Sequence, residues 1–214
     1  MAKLTGPLFS LGASGTVGKA IVFGSWKGIA YARKYVVPEN PDTADQQEVR
    51  GVFTTLANLW KLMPQLARNP FQAAVRGRAL TDRNRHVQAS AAALNGESDL
   101  NNLVMSVASG SATLPTGMSA AGAAGQIDIT GTPADPPVGY TLEAIVAVAV
   151  EDGDPSPGYS ATTYAEEVTS APWAVSISGL AAGDYQVGIF AEYSRDSDSE
   201  TFYSEAIRSQ ETVT

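Results

Sequence analysis

The sequence lacks cysteine altogether and contains one histidine, His86, in 214 residues. Without cysteine there are no disulfides, thiol nucleophiles or thiolate metal sites. A catalytic triad would have to include His86, and a zinc site would have to consist mainly of carboxylates. The residues around His86 are polar or basic: Arg83, Asn84, Arg85 and Gln88. We therefore expect His86 on the surface of a helix, in a structural rather than a catalytic role.

Long hydrophobic runs are also missing. The longest apolar run, residues 144–150, is far shorter than the roughly 20 residues that a membrane helix needs. The first residues contain no apolar core of a signal peptide. We expect a chain that is made and folded in a bacterial cytoplasm and has no membrane partner.

No motif in the sequence indicates a cofactor. Residues 12–20 depart from a phosphate-binding loop, because Ala13 and Ala20 stand where that loop requires glycine and serine or threonine. No nucleophile has a plausible base partner. The sequence therefore predicts a non-enzymatic protein that holds no cofactor.

Basic residues are scarce in the second half of the chain. Residues 1–110 carry twelve Lys or Arg and seven Asp or Glu, whereas residues 111–214 carry two and fifteen, so the net charges are +5 and −13. Residues 109–125 are rich in Gly, Ala and Ser and poor in large apolar side chains. We predict a basic docking module over residues 1–108, a linker over 109–125 and an acidic domain over 126–214.

The first half predicts a β-hairpin followed by helices. Two β-like runs, residues 19–23 and 29–37, flank a turn that contains Trp26 and Lys27. Thr43 and Gln46 form a capping box for a helix that ends before Pro64. One apolar face of this helix is expected to face a core: Val49, Val52, Phe53, Leu56, Trp60 and Met63.

Further elements complete an α+β module with two or three helices. A second helix is predicted to start at Asn69, which can cap it, with Pro70 in its first turn. Thr81 is predicted to cap a third helix that runs to Leu94. Its inward face would be Val87, Ala91 and Leu94. Residues 103–108 are predicted to return to the hairpin as a strand.

The second half has a period-two pattern, in which one face of each run is apolar and the opposite face is smaller or more polar. The alternation covers residues 142–150, 173–177 and 185–193, and residues 202–208 supply a last strand. Turn residues separate these runs. This pattern predicts an antiparallel all-β sandwich of the Ig-like class.

Part of this second half resembles the last strands of fibronectin type III domains. The resemblance is carried by Gly179-Leu180-Ala181-Ala182-Gly183-Asp184-Tyr185-Gln186-Val187, then Ala191 and Tyr203-Ser204-Glu205. It implies a Gly-Leu turn, a tyrosine that packs the corner and a small residue inside the next strand. The expected fold is therefore an Ig-like or fibronectin-III-like sandwich, which does not by itself imply a function.

The first half resembles a family of small proteins encoded in tailed-phage and prophage genomes. The resemblance rests on Gly15, Gly18, Trp26-Lys27-Gly28, Tyr31, Arg33, Asn40-Pro41, Thr43, Gln46, Arg50, Phe53 and Trp60. It implies a virion structural role without catalytic residues. The implied partners are other virion proteins of the capsid, the portal or adaptor region, or the tail.

Several residues are candidates for contact with such partners: Trp26, Lys27, Arg33, Arg76, Arg78, Arg83 and Arg85. Trp26 lies in a predicted turn and is the least explained by burial, whereas Trp60 and Trp173 are expected in the core. The arginines could follow a phosphate backbone, but no aromatic residues are interleaved with them. A surface that packs on a partner subunit is therefore favoured over nucleic acid.

The acidic half offers one weak metal candidate. Asp196, Asp198 and Glu200 alternate in one predicted loop, where their carboxylates could converge on Ca²⁺. Acidic hairpin loops without a metal are common, and a solvated loop is the favoured interpretation.

Together these patterns predict a non-enzymatic virion structural protein of a tailed bacteriophage. Its N-terminal module would dock on the capsid or head-tail region, as a decoration or adaptor protein, and project the Ig-like domain. Many copies in a symmetric assembly would make modest contacts firm through avidity. Two alternatives stay open: a tail or fibre-adaptor component, and a carbohydrate-binding surface module that contacts host glycan.

Overall fold

The computed structural model describes residues 14–26, 29–37, 42–95, 99–154 and 161–214. The chain divides into two compact units, Met1–Asp42 and Thr43–Thr214. Lys27, one of the residues predicted to contact a partner, lies outside the described residues. This division differs from the predicted boundary at residue 108.

The first unit contains an antiparallel three-stranded meander. Its strands are β1 (Gly15–Val17), β2 (Ile21–Trp26) and β3 (Ile29–Lys34), in the order β1-β2-β3. Gly18 and Lys19 both have φ of 54°, the left-handed conformation that a tight hairpin turn between β1 and β2 requires. The predicted hairpin is confirmed as β2 and β3, which pair from Ile21↔Lys34 to Trp26↔Ile29.

The described residues of the second unit begin with three helices: α1 (Ala44–Leu62), α2 (Gln65–Ala74) and α3 (Asp82–Leu94). Thr43 and Thr81 cap α1 and α3 as predicted, because their side-chain oxygens accept hydrogen bonds from the amides of Gln46 and Asn84. No described helix has the length and apolarity needed to cross a membrane.

The predicted start of α2 is wrong. The helix begins at Gln65, directly after Pro64, and it includes Pro70 in its interior rather than in its first turn. Proline in a helix interior removes one backbone hydrogen bond. Pro70 is nevertheless buried, so tertiary packing overrides the local preference.

In the part of the chain that the structure describes, eight strands follow the helices: β4 (Met118–Ala123), β5 (Gln126–Gly131), β6 (Tyr140–Glu151), β7 (Thr163–Val168), β8 (Ala174–Ser178), β9 (Gly183–Arg195), β10 (Thr201–Tyr203) and β11 (Ile207–Val213). They form two antiparallel sheets. The smaller sheet has the order β4-β5-β8. In the larger sheet the order is β7, β6, β9. Both β10 and β11 pair with the edge of β9 that faces away from β6.

The larger sheet is the middle of three layers. On one face, Ile145, Ala147 and Ala149 of β6 share a core with the smaller sheet. On the other face, Val146 and Val148 share a core with the helices. All seven residues of the apolar run 144–150 are buried, which explains why this stretch has no polar alternation.

This layering corrects the predicted division at residue 108. Leu56 and Leu59 of α1 and Phe71 of α2 belong to the same core as Phe190 of β9. The helices therefore cover a sheet that would otherwise expose an apolar face. The charge and composition of the sequence suggested two separate domains. The burial of apolar surface instead joins the helices and the strands in one unit.

The predicted linker is also an ordered part of the second unit. It includes β4, and the amide of Ser109 donates to the carbonyl of Tyr203 (2.9 Å). A side chain at Gly110 would overlap the ring of Phe202, and one at Gly122 would overlap the carbonyl of Thr212. The glycines in this segment therefore permit close packing rather than flexibility.

Residues 103–108 do not form the predicted strand. Leu103, Met105 and Val107 are buried in the core between helices and sheet. The Ser106 hydroxyl donates to the carbonyl of Ser204, and Gly188 leaves room for Met105 beside β9. The partners of this segment therefore lie in the second unit.

Candidate interaction surface

One face of the meander gathers aromatic, aliphatic and basic side chains. Alternate residues of a strand share a face, so Trp26, Ile29, Tyr31 and Arg33 lie together through the pairing of β2 with β3. They line an open groove of about 410 Å³. Trp26 is 68% exposed and Ile29 is 49% exposed. We call this surface the Trp26 face.

Gly24 shapes the Trp26 face. It lies opposite Tyr31 in the ladder, and a Cβ added at Gly24 would lie 2.7 Å from the Tyr31 hydroxyl oxygen. The tyrosine ring therefore lies across β2 at the one position without a side chain. The aromatic floor of the groove depends on this glycine.

The opposite face of the meander is also apolar. Val17 lies opposite Ile21, and both side chains are exposed. None of the described residues of β1, β2 or β3 is buried. A small sheet needs to pack a hydrophobic face against something else in order to be stable. Both faces of this sheet are therefore candidates for contact with protein.

The predicted arginines do not form one patch. Arg76 donates to a Glu200 carboxylate oxygen (3.2 Å) and to the carbonyl of Thr201 (2.7 Å), so it joins α2 to β10. Arg78 lies beside Arg76 in one cavity, whereas Arg85 lines another one.

The remaining candidates lie in different places. Arg83 is exposed on α3. Trp26 and Arg33 share the Trp26 face of the first unit. Among the described candidates, the structure thus brings Trp26 and Arg33 together on an aromatic surface.

The calcium candidates form an ion-paired turn instead. Arg195 contacts Asp198 through Nε (3.0 Å) and Glu200 through Nη2 (2.8 Å). The hydrogen bond from Arg195 lowers the pKa of Asp198. Asp196 accepts a hydrogen bond from Thr141 (2.9 Å). Among the described residues, no three acidic or histidine side chains are placed to hold a metal.

His86 is buried rather than exposed, which corrects the sequence prediction. Its ring lies 5.6 Å from that of Trp60 and 5.0 Å from that of Phe71. The buried side of α3 consists of His86, Ser90 and Leu94. The predicted inward face of α3 contained Val87 and Ala91 where the structure buries His86 and Ser90, and Val87 and Ala91 are only partly buried.

Burial governs the chemistry of His86. Neither ring nitrogen has a hydrogen-bond partner among the described residues. Desolvation lowers the pKa of His86 from 6.5 to about 4, since the imidazolium form is disfavoured away from water. A neutral, enclosed imidazole has a packing role.

The other tryptophans are less exposed than Trp26. Trp60 is buried as predicted, and the guanidinium of Arg68 lies 5.4 Å from its ring centroid. Trp173 is only partly buried, against the core between the two sheets. Of the three, Trp26 is therefore the tryptophan with a large exposed surface.

The helical layer carries a second apolar surface that the sequence prediction missed. Val49 and Phe53 were assigned to the inward face of α1, yet they are 40% and 49% exposed. Together with Val52, Ala91 and Ala92 they line a groove of about 410 Å³ between α1 and α3. We call it the α1–α3 groove. The signal in the sequence was an apolar stripe on α1 wider than one core needs.

Comparisons with known proteins leave the family open. No protein-family model matches the chain, and no curated protein matches it significantly.

Proposed function

We propose that the chain is a non-enzymatic structural protein of a tailed-bacteriophage virion, which binds other virion proteins through its N-terminal meander. The observation that carries this proposal is a sheet with no buried described residue and with apolar side chains on both faces. Trp, Tyr and Arg, which are enriched at the centres of protein interfaces, meet on the Trp26 face.

The charge of the two units supports the same role. Residues 1–42 carry five basic and two acidic residues, and residues 43–214 carry nine and twenty, so the net charges are +3 and −11. A basic docking sheet suits a neutral or acidic partner surface. A strongly acidic second unit stays solvated when many copies are close together.

We further propose that β4 to β9 and β11 form an Ig-like or fibronectin-III-like domain. Seven strands are divided three and four between two packed antiparallel sheets, and the connections β5–β6, β7–β8 and β8–β9 cross from one sheet to the other. The Tyr185 hydroxyl donates to the carbonyl of Ala181 (3.1 Å), which resembles the tyrosine corner of such domains. The domain would project from the virion.

We do not expect this chain to catalyse a reaction. Its one histidine is enclosed between Trp60 and Phe71, where no substrate reaches it. The glycan-binding alternative required acidic loops and an exposed aromatic residue in one groove of residues 126–214. The acidic turn instead binds Arg195, and Trp173 packs on the core, so no observation favours that function.

Purified phage particles provide the test. Particles released by the bacterium that carries the gene should contain this chain in many copies, as measured by quantitative mass spectrometry. Genes for capsid and tail proteins should flank its own gene. Particles that are complete and infectious without the chain would refute the proposal.

A variant can then test the surface. Replacing Trp26 and Val17 by Ser alters both faces of the meander and should reduce incorporation into particles. Val138→Ser is the matched control, because Val138 is fully exposed in the second unit and its removal should leave incorporation unchanged. Equal incorporation of both variants would show that the meander is not the docking surface.

A further inference from the structure

One extended segment of the second unit has backbone groups without partners. From residue 103 to residue 109 the chain runs without a turn or bend, yet it belongs to no described strand. Among the described residues, the amides of 105–108 donate no hydrogen bond and the carbonyls of 104–108 accept none. Met105, Ser106 and Val107 are nevertheless buried. Backbone groups near a protein interior are normally paired, so this segment has hydrogen-bonding capacity left for another chain. We call residues 104–108 the unpaired segment.

A cavity of about 260 Å³ lies beside the unpaired segment. Its lining consists of all five residues of that segment, Arg85 of α3, and Glu205, Ala206 and Arg208 around the start of β11. The two stretches of chain are joined next to the cavity, where the amide of Ser109 donates to the carbonyl of Tyr203 (2.9 Å). Ala108, Glu205 and Arg208 are exposed, so the cavity reaches the surface of the protein.

Two arginines give this cavity a positive charge. Neither Arg85 nor Arg208 takes part in the described ion pairs, which involve Arg76 and Arg195. The Nε atom of Arg85 is enclosed and has no hydrogen-bond partner in the described part of the chain. Glu205 is the acidic residue of the lining, so two arginines and one glutamate leave a formal charge of +1. A cationic cavity in a unit of net charge −11 favours an anionic group.

We propose that this cavity binds an extended segment of a partner protein that carries an acidic side chain. The main chain of the partner pairs with the unpaired segment, as in the addition of a strand to a sheet edge. Its carboxylate accepts hydrogen bonds from Arg85 and Arg208. The five residues of the unpaired segment span about 16 Å of extended chain, at roughly 3.3 Å per residue, which sets the length of the contact. The inference goes beyond the proposed function, because the cavity lies in the second unit and its use does not depend on the meander.

The same cavity suits a nucleic acid less well. Phosphate oxygens accept hydrogen bonds from arginines and amides, but they cannot donate to the carbonyls of residues 104–108. A peptide main chain supplies donors and acceptors in alternation. The strongly acidic second unit also repels a polyanion. A peptide is therefore the occupant that satisfies both the backbone groups and the two arginines.

Short peptides test the site on the complete chain. The probe is Thr-Val-Glu-Val-Thr with both ends blocked, because its β-branched residues favour an extended conformation. Titration into isotopically labelled protein, followed by NMR, should shift the amide signals of residues 105–108 and slow their hydrogen exchange. A probe with Lys in place of Glu should bind roughly tenfold more weakly or worse, since it loses the hydrogen bonds to the arginines. A probe with Pro in place of both Val residues should cause no shift, because proline has no amide proton to donate.

Substitutions in the cavity separate recognition from folding. Arg208→Glu should weaken the glutamate probe and strengthen the lysine probe, each by roughly tenfold. Arg85→Gln should weaken the glutamate probe as well. Arg83→Gln is the matched control, because Arg83 is exposed on the same helix and lies outside the lining of the cavity. It should leave the affinity for both probes unchanged, and an equal loss in Arg83→Gln and Arg208→Glu would reduce the effect to general charge and overturn the inference.

Four other results would also overturn it. The first two are no shift at residues 105–108 with millimolar glutamate probe, and equal binding of the glutamate and lysine probes. The third is hydrogen exchange at these amides as slow in the free chain as in β6, because a segment of the chain itself would then pair with them. The fourth is tighter binding of single-stranded DNA than of the glutamate probe at this cavity. None of these measurements involves virus particles, so each can fail while the proposed function of the meander stands, and the reverse also holds.

Discussion

The buried imidazole of His86 should make the second unit sensitive to mild acid. Its pKa is about 4 in the folded protein and 6.5 when solvated, so the unfolded chain binds more protons between these values. The stabilising contribution is therefore complete above pH 6.5 and is lost as the pH falls towards 4. At pH 5 the linkage relation gives a loss of about 2 kcal/mol, rising to about 3 kcal/mol at still lower pH.

His86→Phe is the informative perturbation, because it keeps an aromatic ring between Trp60 and Phe71 and removes the titration. Urea unfolding followed by circular dichroism at pH 8 and pH 5 gives the free energy of unfolding of both proteins. The unmodified protein should lose about 2 kcal/mol more than the variant between the two pH values. At pH 8 the variant should be at least as stable, since it lacks two unpartnered ring nitrogens.

The comparison with the variant isolates His86 from other groups. Desolvation raises the pKa of Glu192, so protonation of this carboxylate stabilises the folded protein as the pH falls. This effect on the free energy of unfolding is opposite in sign to that of His86. This contribution is present in both proteins and cancels in the difference. Equal losses in the two proteins would refute the reasoning and show that the folded imidazole is hydrated or hydrogen-bonded.

Two further predictions concern the strands of the second unit. Gly122→Ala should lower the free energy of unfolding by about 1–3 kcal/mol, because the new Cβ meets the rigid carbonyl of Thr212; Gly183→Ala, where nothing lies within 4 Å, is the control, and equal effects in thermal unfolding would contradict this account. Adding millimolar Ca²⁺ should leave the melting temperature unchanged, because Arg195 already binds the carboxylate of Asp198; a clear upward shift would show that the cation displaces the arginine.

Local signals predicted some of the elements correctly. Thr43 and Thr81 cap helices because a side-chain oxygen satisfies a nearby amide, an interaction within four residues. Period-two alternation found β6 and β9, the two longest strands. It missed β4, whose side chains are small and give little hydrophobic contrast.

Non-local packing set the limits of prediction. The helices and the strands differ in charge, yet the run 144–150 has two apolar faces that need to be covered, one by the smaller sheet and the other by the helices. His86 lies one helical position from the predicted face, and its basic neighbours hid the buried stripe. Trp26 and Arg33 lie on adjacent strands of one hairpin, and only the register of β2 with β3 places them on one face.

The enclosed β6 strand determines how the chain can be divided. Its ladder with β9 lies between the helices and the smaller sheet, so its amides should exchange with solvent only when the whole second unit unfolds. A chain cut at residue 108 would separate the helices from the strands and leave the outer face of β6 bare. Fragments made that way should aggregate, and the shortest soluble product of limited proteolysis should keep residues 43–214 intact.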